Sequence, residues 1–277
     1  MLPRARPAGL IALAAVGFLL PSPGPARETP KTPGPELSDL ALEVKALRTL
    51  YYFRFTPEQM KDLQKRAGET AAPARKQTAK ASDDFRDALA DLRDALVEAF
   101  DDDRIDSLDE KLDQLRESET PELDNEVPVT DAAFRVAGEV LRSLTVSQIA
   151  AYTAQVADDL TDPLERLTAA LDKVRKVQEN GYVQRRDEIA EEVSRQVAGL
   201  DRKKAGLVKG QVAAFLDKAR AYKDEEYKAK RPALEKEARQ IIGDVGAFEV
   251  LRHEVGLALA ELLSNPRLAA ALKARLK

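Results

Sequence analysis

The residue types that enzymes use for catalysis are sparse in this sequence of 277 residues. There is no Cys, and the one His, His253, lies in a segment with helical spacing, EVLRHEVGLAL. No Gly-rich nucleophile turn surrounds a Ser, so the sequence does not indicate a Ser-His-Asp triad. Phosphate-binding patterns such as GxGxxG and the Walker loop are also absent. We therefore predict a protein that is not an enzyme, with no catalytic residues and no cofactor.

The sequence does not predict a metal site either. Zinc, nickel and copper sites usually combine several His or Cys ligands, whereas this chain offers one His and two Met. The acidic run DDDR, residues 101–104, lacks the alternating Asp positions and the Gly of a calcium-binding loop. The many other carboxylates are typical of solvated helix faces.

Composition and spacing instead predict helices. A third of the residues are charged, 5% are aromatic and Trp is absent, which is typical of helical bundles and coiled coils. Apolar residues recur in steps of three and four, as in the stripes Phe85, Leu89, Leu92, Leu96, Phe100 and Val208, Val212, Phe215, Ala219, Tyr222. We predict an all-α, elongated helical bundle with coiled-coil segments.

The N-terminus has the features of a signal peptide. Arg4 and Arg6 precede an apolar stretch of 13 residues, Ala8 to Leu20, and small residues end at Ala26. This stretch is short for a membrane span, which needs ~20 residues, although an uncleaved anchor is the alternative. We predict a signal peptide at 1–26, a flexible Pro-rich leader at 27–36, and export to the periplasm or another extracytoplasmic compartment.

The remaining chain divides into an N-terminal helical segment at 37–118, a linker at 119–130 and a C-terminal helical segment at 131–277. Two prolines mark the linker. Within these segments the pattern predicts one long helix from Val183 to Lys230, broken by Pro232. It also predicts a C-cap or turn at Asn180-Gly181 and a short helix that opens at a capping box of Ser107 and Glu110.

Charge is unevenly distributed along the chain. Residues 83–126 contain 18 acidic and 5 basic residues, a net charge of −13, whereas 201–240 contain 12 basic and 7 acidic residues, a net charge of +5. We expect the two regions to attract each other within the fold, and the alternative is an acidic surface that recruits cations or basic clients. A negative net charge and predicted export argue against nucleic acid as a partner.

The C-terminal residues 266–277 form a short basic, amphipathic helix in the sequence pattern. Arg267, Lys273, Arg275 and Lys277 lie beside a Leu/Ala face. Such a helix can rest weakly on an anionic membrane surface. The alternative is that it docks on its own bundle.

Two short motifs share a pattern of an apolar residue, Thr, two variable residues and Gln. They are FTPEQ, with Thr56 and Gln59, and LTVSQ, with Thr145 and Gln148. In each, Thr suits the N-cap of a helix and Gln can reach back to complete a capping box. Both motifs therefore predict a helix start.

This motif pair resembles the LTXXQ motif of bacterial periplasmic helical proteins, the Spy and CpxP type of envelope-stress chaperone. The LTVSQ copy matches every defined position, and the FTPEQ copy has Phe in place of Leu. The copies lie 89 residues apart, which is wider than in that family, and the chain lacks the His-rich segments of its metal-sensing members.

The resemblance implies a chaperone of the cell envelope that responds to stress and binds unfolded or aggregation-prone clients without catalysis. Ordinary core packing is the alternative role for each residue that we would expect to contact clients: Tyr51, Tyr52, Phe53, Phe55, Tyr152, Phe215 and Tyr222. The alternative function is a structural spacer or adaptor that holds one specific envelope partner. In either case self-association into a homodimer would help to stabilise a chain without disulfides.

Overall fold

The computed structural model describes residues 36–73, 81–98, 102–119, 127–156 and 162–277. In these ranges the chain forms twelve α-helices and no β-strand, so the all-α prediction is confirmed. The helices are α1 (Leu37–Tyr52), α2 (Pro57–Thr70), α3 (Asp83–Glu98), α4 (Asp102–Glu119), α5 (Asp131–Ser143), α6 (Val146–Val156), α7 (Pro163–Lys176), α8 (Glu179–Ala198), α9 (Arg202–Ala221), α10 (Asp224–Ile242), α11 (Ala247–Ser264) and α12 (Leu268–Arg275). The predicted signal peptide, nearly all of the leader, most of the linker and Phe100 lie outside the described residues.

Two apolar clusters form the core. The first, which we call the terminal core, joins buried side chains of α1–α5 to those of α11 and α12. The second, the middle core, is built from α7–α10. The terminal core therefore combines helices from both sides of the predicted linker at 119–130, because the last two helices return to pack on the first three.

The predicted apolar stripes are buried from Phe85 to Leu96 in α3 and from Val208 to Ala219 in α9, whereas Tyr222 at the end of the second stripe is partly exposed. Phe85, Leu92 and Leu96 of α3 are fully inaccessible to solvent, as are Val212 and Ala219 of α9. Burying a large apolar side chain stabilises a fold by about 1.5–3 kcal/mol relative to leaving it exposed. These stripes therefore fix which face of each helix turns toward its core.

The single helix predicted from Val183 to Lys230 is wrong, because the chain breaks twice in that range. The first break lies between α8 and α9, where Gly199 adopts a φ of +54° and Asp201 caps α9 by accepting a hydrogen bond from the Lys204 backbone N–H at 3.0 Å. The second break separates α9 from α10 at residues 222–223. The breaks allow α8 and α9 to fold back and pack along each other.

Three predicted helix boundaries are also wrong. Pro232 lies inside α10, Ser107 lies inside α4, and Asn180-Gly181 lies in the first turn of α8. In α4 the helix already begins at two acidic residues, which interact favourably with the helix dipole there, and burial of Ile105 and Leu112 on either side of Ser107 keeps the segment helical. Packing outweighs the local stop and start signals in each case.

Helix α12 docks on the bundle. Leu268 and Leu272 are fully buried, and the helix packs mainly against α1 and α2. The Leu/Ala face that the sequence analysis considered for a membrane surface is thus covered by protein. No described helix is by itself long and apolar enough to cross a membrane. Helices α11 and α12, with a 93° bend between them, are long and apolar enough only when taken together, by length and composition alone.

Candidate interaction surfaces

Both sequence motifs form capping boxes. At the start of α2, Thr56 Oγ1 accepts a hydrogen bond from the Gln59 backbone N–H at 3.3 Å, and Gln59 Oε1 accepts one from the Thr56 backbone N–H at 2.9 Å. At the start of α6, Gln148 N donates to Thr145 Oγ1 at 3.2 Å and Thr145 N donates to Gln148 Oε1 at 3.1 Å. Each pair satisfies two helix-terminal N–H groups that have no intrahelical partner.

The two motifs also meet in space. Gln148 Nε2 donates to Gln59 Oε1 at 2.8 Å, and Gln59 Nε2 donates back to Gln148 Oε1 at 3.2 Å. Gln148 Nε2 also lies 3.3 Å from the carbonyl oxygen of Arg54. This amide pair joins the starts of α2 and α6. The Gln148 side chain is buried, so water does not compete for its hydrogen bonds. We call Arg54, Gln59 and Gln148 the glutamine corner.

Arg54 adopts a left-handed backbone conformation in this corner, with a φ of +50°. For a residue other than glycine this conformation costs roughly 1–2 kcal/mol. The preceding residue ends α1 with a hydrogen bond from the Phe53 N–H to the Thr49 carbonyl. Arginine does not favour this backbone conformation, so the hydrogen bond from Gln148 to the Arg54 carbonyl helps to hold the turn.

The structure places three of the predicted client-contact residues in the core. Phe53 is fully buried and stacks on Tyr152 with ring centroids 4.2 Å apart, and Phe55 is buried 5.4 Å from Phe53. Phe215 is buried in the middle core. In this conformation these three rings offer no surface to a client, which agrees with the alternative of core packing.

The other four predicted contact residues are partly exposed. Tyr222 packs against the middle core below the Lys230 ammonium group, 4.6 Å from the ring centroid. Burial raises the pKa of Tyr152 well above its ordinary value. Tyr51 and Tyr52 lie beside α4, and burial, followed by a hydrogen bond donated to Asp102, raises the pKa of Tyr51 to about 12.

Helices α3 and α4 present a surface rich in carboxylates, which we call the acidic surface. Its exposed acidic residues are Asp83, Asp84, Asp87, Asp91, Asp94, Glu98, Asp102, Asp103, Asp106, Glu110, Asp113 and Glu117. Among the described residues, Arg93 pairs with Asp94, Arg116 with Asp113 and Arg48 with Asp109, and Arg86, Arg104 and Lys111 also lie on these two helices. Acidic residues therefore outnumber basic ones on α3 and α4.

The basic region 201–240 does not neutralise the acidic surface. Its cations pair elsewhere, for example Lys218 with Glu237 at 2.7 Å and Arg231 with Asp172 at 2.7 Å. Of the ion pairs in the described ranges, none joins 83–119 to 201–240. The attraction expected between these two regions is therefore not found there, and the acidic surface faces solvent.

The middle core contains an internal repeat that the sequence analysis missed. Residues 171–186, LDKVRKVQENGYVQRR, and residues 216–231, LDKARAYKDEEYKAKR, are offset by 45 positions and share Leu, Asp, Lys, Arg, Tyr and Arg at equivalent places. A comparison of the sequence with itself at fixed offsets would have found it. The first copy spans the junction of α7 and α8, and the second spans the junction of α9 and α10.

The two copies bind each other reciprocally at their helix ends. Arg175 donates to the carbonyl oxygens of Ala219 and Tyr222 at the end of α9, at 2.8 and 2.7 Å. Its equivalent, Arg220, donates to those of Val174 and Val177 at the end of α7, at 2.8 and 2.9 Å. Each arginine thus satisfies carbonyl groups at the C-terminus of the other copy's first helix.

Tyrosine and aspartate continue the same pattern. Tyr182 donates to Asp217 and Tyr227 donates to Asp172, both at 2.7 Å. The guanidinium of Arg220 lies 4.2 Å from the Tyr182 ring centroid, and that of Arg175 lies 4.2 Å from the Tyr227 ring centroid. This symmetric arrangement is a packing interface between two related helix pairs, stabilised by charge-assisted hydrogen bonds and cation–π contacts.

A polar cavity of about 310 Å³ lies where the two cores meet. It is lined by Tyr152 and Val156 of α6, Arg166 of α7, Glu192, Arg195 and Gln196 of α8, and Glu254 of α11. Arg195 forms an ion pair with Glu261, whereas burial raises the pKa of Glu254 above its ordinary value. Nearby, His253 Nδ1 lies 2.8 Å from the Gln196 carbonyl oxygen, so this ring serves in packing between α8 and α11.

Among the described residues, no group of three or more His, Cys, Asp or Glu side chains is arranged to hold a metal ion. No protein-family model matches the chain, and neither the curated proteins nor the solved structures include a match.

Proposed function

We propose that this chain is a non-enzymatic, exported interaction protein that uses the acidic surface of α3 and α4 to hold one specific partner with a basic surface. The observation that carries this proposal is the excess of exposed carboxylates over basic residues on α3 and α4, together with the pairing of cations of the basic region with other acids. Concentrated charge of one sign raises the rate of encounter with an oppositely charged partner and selects against others.

Among interaction functions, the adaptor is favoured over a general chaperone. Binding of many unfolded clients calls for accessible apolar surface. Phe53, Phe55 and Phe215 are buried in packing, and the large apolar side chains that are strongly exposed in the described part lie on four different helices, at Val146, Val183, Leu207 and Phe248.

A chaperone-like function is the second candidate, because two aromatic rings border the acidic surface. Tyr51 and Tyr52 are partly exposed beside α4, and Asp109, Asp106 and Asp113 all contribute to raising the pKa of Tyr52, after burial as the main cause. A surface that combines aromatic and acidic groups can hold basic, unfolded segments loosely. The resemblance to LTXXQ-motif proteins supports the same candidate.

The proposed function is tested by replacing three exposed carboxylates of α4 in the full chain: Asp103→Asn, Asp106→Asn and Glu110→Gln. A partner recovered from the cell envelope by cross-linking should bind the wild type with an affinity that falls steeply as NaCl rises from low to physiological concentration. The triple variant should bind it about tenfold or more weakly and with a smaller salt dependence.

A matched control removes the same amount of charge elsewhere. Glu69, Asp244 and Glu249 are exposed and lie outside α3 and α4, so their amide variants should bind the partner like the wild type. Equal weakening in both triple variants would mean that only net charge matters and would refute the proposed site. Suppression of aggregation of unrelated unfolded proteins at near-stoichiometric ratios, without ATP, would favour the chaperone-like function.

A further inference from the structure

The polar cavity where the two cores meet has a lining of opposite charges that balance. Its charged residues are Arg166 of α7, Glu192 and Arg195 of α8, and Glu254 of α11. The two residues of α8 are three positions apart, so they lie on the same face of that helix. The volume of about 310 Å³ is at the small end of the range for ligand sites. A small cavity without net charge favours a small ligand without net charge.

Glu254 is the one charged group of this lining that has no partner among the described residues. The guanidinium group of Arg166 pairs with Glu192 at 2.5 Å, and that of Arg195 pairs with Glu261 at 2.5 Å. Burial raises the pKa of Glu254, and the nearby charges of Arg195 and Arg166 oppose that rise. The carboxylate therefore lies close to two cations but beyond ion-pair distance of both.

Two hydrogen-bond donors at the cavity also lack an acceptor in the described part of the chain. The Nε–H group of Arg166 is buried and donates no hydrogen bond. The hydroxyl group of Tyr152 donates none either, and burial raises its pKa well above the ordinary value, so it stays protonated at neutral pH. Stacking on Phe53 holds the tyrosine ring in place. Most buried polar groups in proteins have a partner, so these two donors require an explanation.

The groups without partners define the chemistry of a ligand. The Glu254 carboxylate can only accept hydrogen bonds and is best satisfied by a cationic donor. The donors of Arg166 and Tyr152 are best satisfied by an anionic acceptor. A single molecule that carries both charges would bridge the gap between Glu254 and Arg166 and would leave the net charge of the cavity unchanged. An α-amino acid in its zwitterionic form is a small molecule with this arrangement.

We propose that the cavity binds a free α-amino acid. The ammonium group of the ligand donates to the Glu254 carboxylate, and its carboxylate accepts from Arg166 Nε–H and Tyr152 O–H. Val156, the one aliphatic side chain in the described lining, contacts the side chain of the ligand. The site shares no residue with the acidic surface of α3 and α4, so it goes beyond the proposed function and does not depend on it.

This assignment also explains why a carboxylate occupies position 254. A half-buried carboxylate without a partner is unfavourable for the fold taken alone. Groups of this kind are typical of binding sites, where recognition of a ligand is maintained at the expense of stability. Glu254→Gln should therefore fold at least as well as the wild type while it binds the ligand poorly.

The first experiment titrates the full chain with each common free L-amino acid singly, in isothermal titration calorimetry. We expect saturable binding of at least one of them in the millimolar range or tighter. Two derivatives of the tightest binder then test the two charges separately. The N-acetyl derivative lacks the ammonium group, the primary amide lacks the carboxylate, and each should bind about tenfold or more weakly.

The second experiment repeats these titrations with variants of the cavity. Glu254→Gln should weaken binding of the free amino acid about tenfold or more, but it should have little effect on the N-acetyl derivative, which has no ammonium group to lose. Arg166→Lys keeps the positive charge and removes the Nε–H group, and Tyr152→Phe removes the hydroxyl; each should weaken binding about threefold or more. Glu249→Gln is the matched control, because Glu249 is exposed on α11 outside the cavity.

Circular dichroism and the unfolding midpoint verify that each variant is folded. No saturable binding of any amino acid to the wild type would overturn the proposal, as would equal affinities for the free amino acid and its two derivatives. Unchanged affinity in Glu254→Gln would place the ligand elsewhere and refute the site. Glycine betaine, whose quaternary nitrogen carries no N–H group, should bind weakly, and affinity equal to that of the amino acid would contradict the hydrogen bond assigned to Glu254.

Discussion

Two glutamine side chains connect helices that begin 89 residues apart. Gln59 and Gln148 each complete a capping box and then share their remaining amide groups with each other. Each side chain thus serves both a local purpose, helix initiation, and a long-range one, the joining of α2 to α6. A threonine-glutamine motif that only starts a helix would need the capping box but not the hydrogen bonds between the two glutamines.

We predict that the glutamine corner behaves as a coupled unit. Gln148→Ala should lower the free energy of unfolding by about 1–3 kcal/mol, because it leaves Gln59 and the Arg54 carbonyl without this partner. Gln59→Ala should cost less, and the double variant should reveal a coupling energy of roughly 0.5–1.5 kcal/mol in urea unfolding. Gln64→Ala, at an exposed position of α2, is the control; additive single effects would contradict the pairing.

A second prediction concerns Glu254. Burial is the largest cause that raises its folded pKa above the ordinary value of 4.5. The folded state therefore binds more protons than the unfolded state between these two values, and stability falls as the pH rises through that window. At pH 7 the carboxylate destabilises the fold, so Glu254→Gln should raise the unfolding midpoint.

The gain from Glu254→Gln should vanish below about pH 4, where the carboxyl is protonated in both states. Chemical unfolding of wild type and variant at a series of pH values measures this. Glu249→Gln, at an exposed position of the same helix, should leave the pH dependence unchanged. A variant that is less stable than wild type at pH 7 would show that Glu254 gains more from its neighbouring arginines than it loses on burial.

At the scale of the helices, the break between α8 and α9 shows how a single position decides topology. Periodicity alone favours a continuous helix through this region, and it is wrong there. Gly199 has a positive φ, and a Cβ at this position would lie 2.5 Å from His253 Cδ2. The turn is therefore closed by the packing of α11 as well as by the freedom of glycine.

We predict that Gly199→Ala costs more than about 2 kcal/mol of stability, because it combines backbone strain with a steric conflict. Gly243→Ala is a matched control: Gly243 also has a positive φ, +70°, but has open space around it, so only the strain of about 1 kcal/mol applies. Thermal or urea unfolding compares the two. Combining Gly199→Ala with His253→Ala should recover part of the loss, and equal costs at both glycines would contradict the steric argument.

The internal repeat determines how helices α7–α10 pack on each other. Helices α7–α10 are two related helix pairs, and the arginine, tyrosine and aspartate of one pair bind the other. An interface of identical parts is self-complementary, as in a two-fold dimer.

For the whole molecule, the acidic surface affects both stability and binding. Like charges in α4 follow each other at four-residue steps, as with Asp102, Asp106 and Glu110. Such pairs lower helix stability by about 0.2–0.5 kcal/mol each. We therefore predict that Asp106→Asn raises the unfolding free energy by a few tenths of a kcal/mol while it weakens binding of the proposed basic partner. Loss of stability together with unchanged partner affinity would contradict this account.

The sequence by itself determined the helical class, the two capping boxes and the buried stripes of α3 and α9. These features depend on residues within about four positions of each other, so their causes lie in local hydrogen bonds and in helical periodicity. The same local reasoning placed wrong boundaries at Ser107 and Pro232, where burial against other helices outweighs local preference.

Only the tertiary structure decided which of these pieces meet. Pairing of Gln59 with Gln148, reciprocal binding of the two repeat copies and the return of α12 to α1 all join residues that lie far apart in the chain. The sequence likewise did not predict which acid each basic side chain pairs with, because an ion pair depends on distance in space. A helix pattern specifies which face is apolar, whereas the partner of that face follows from the packing of the whole chain, and with it the surfaces that remain free to bind.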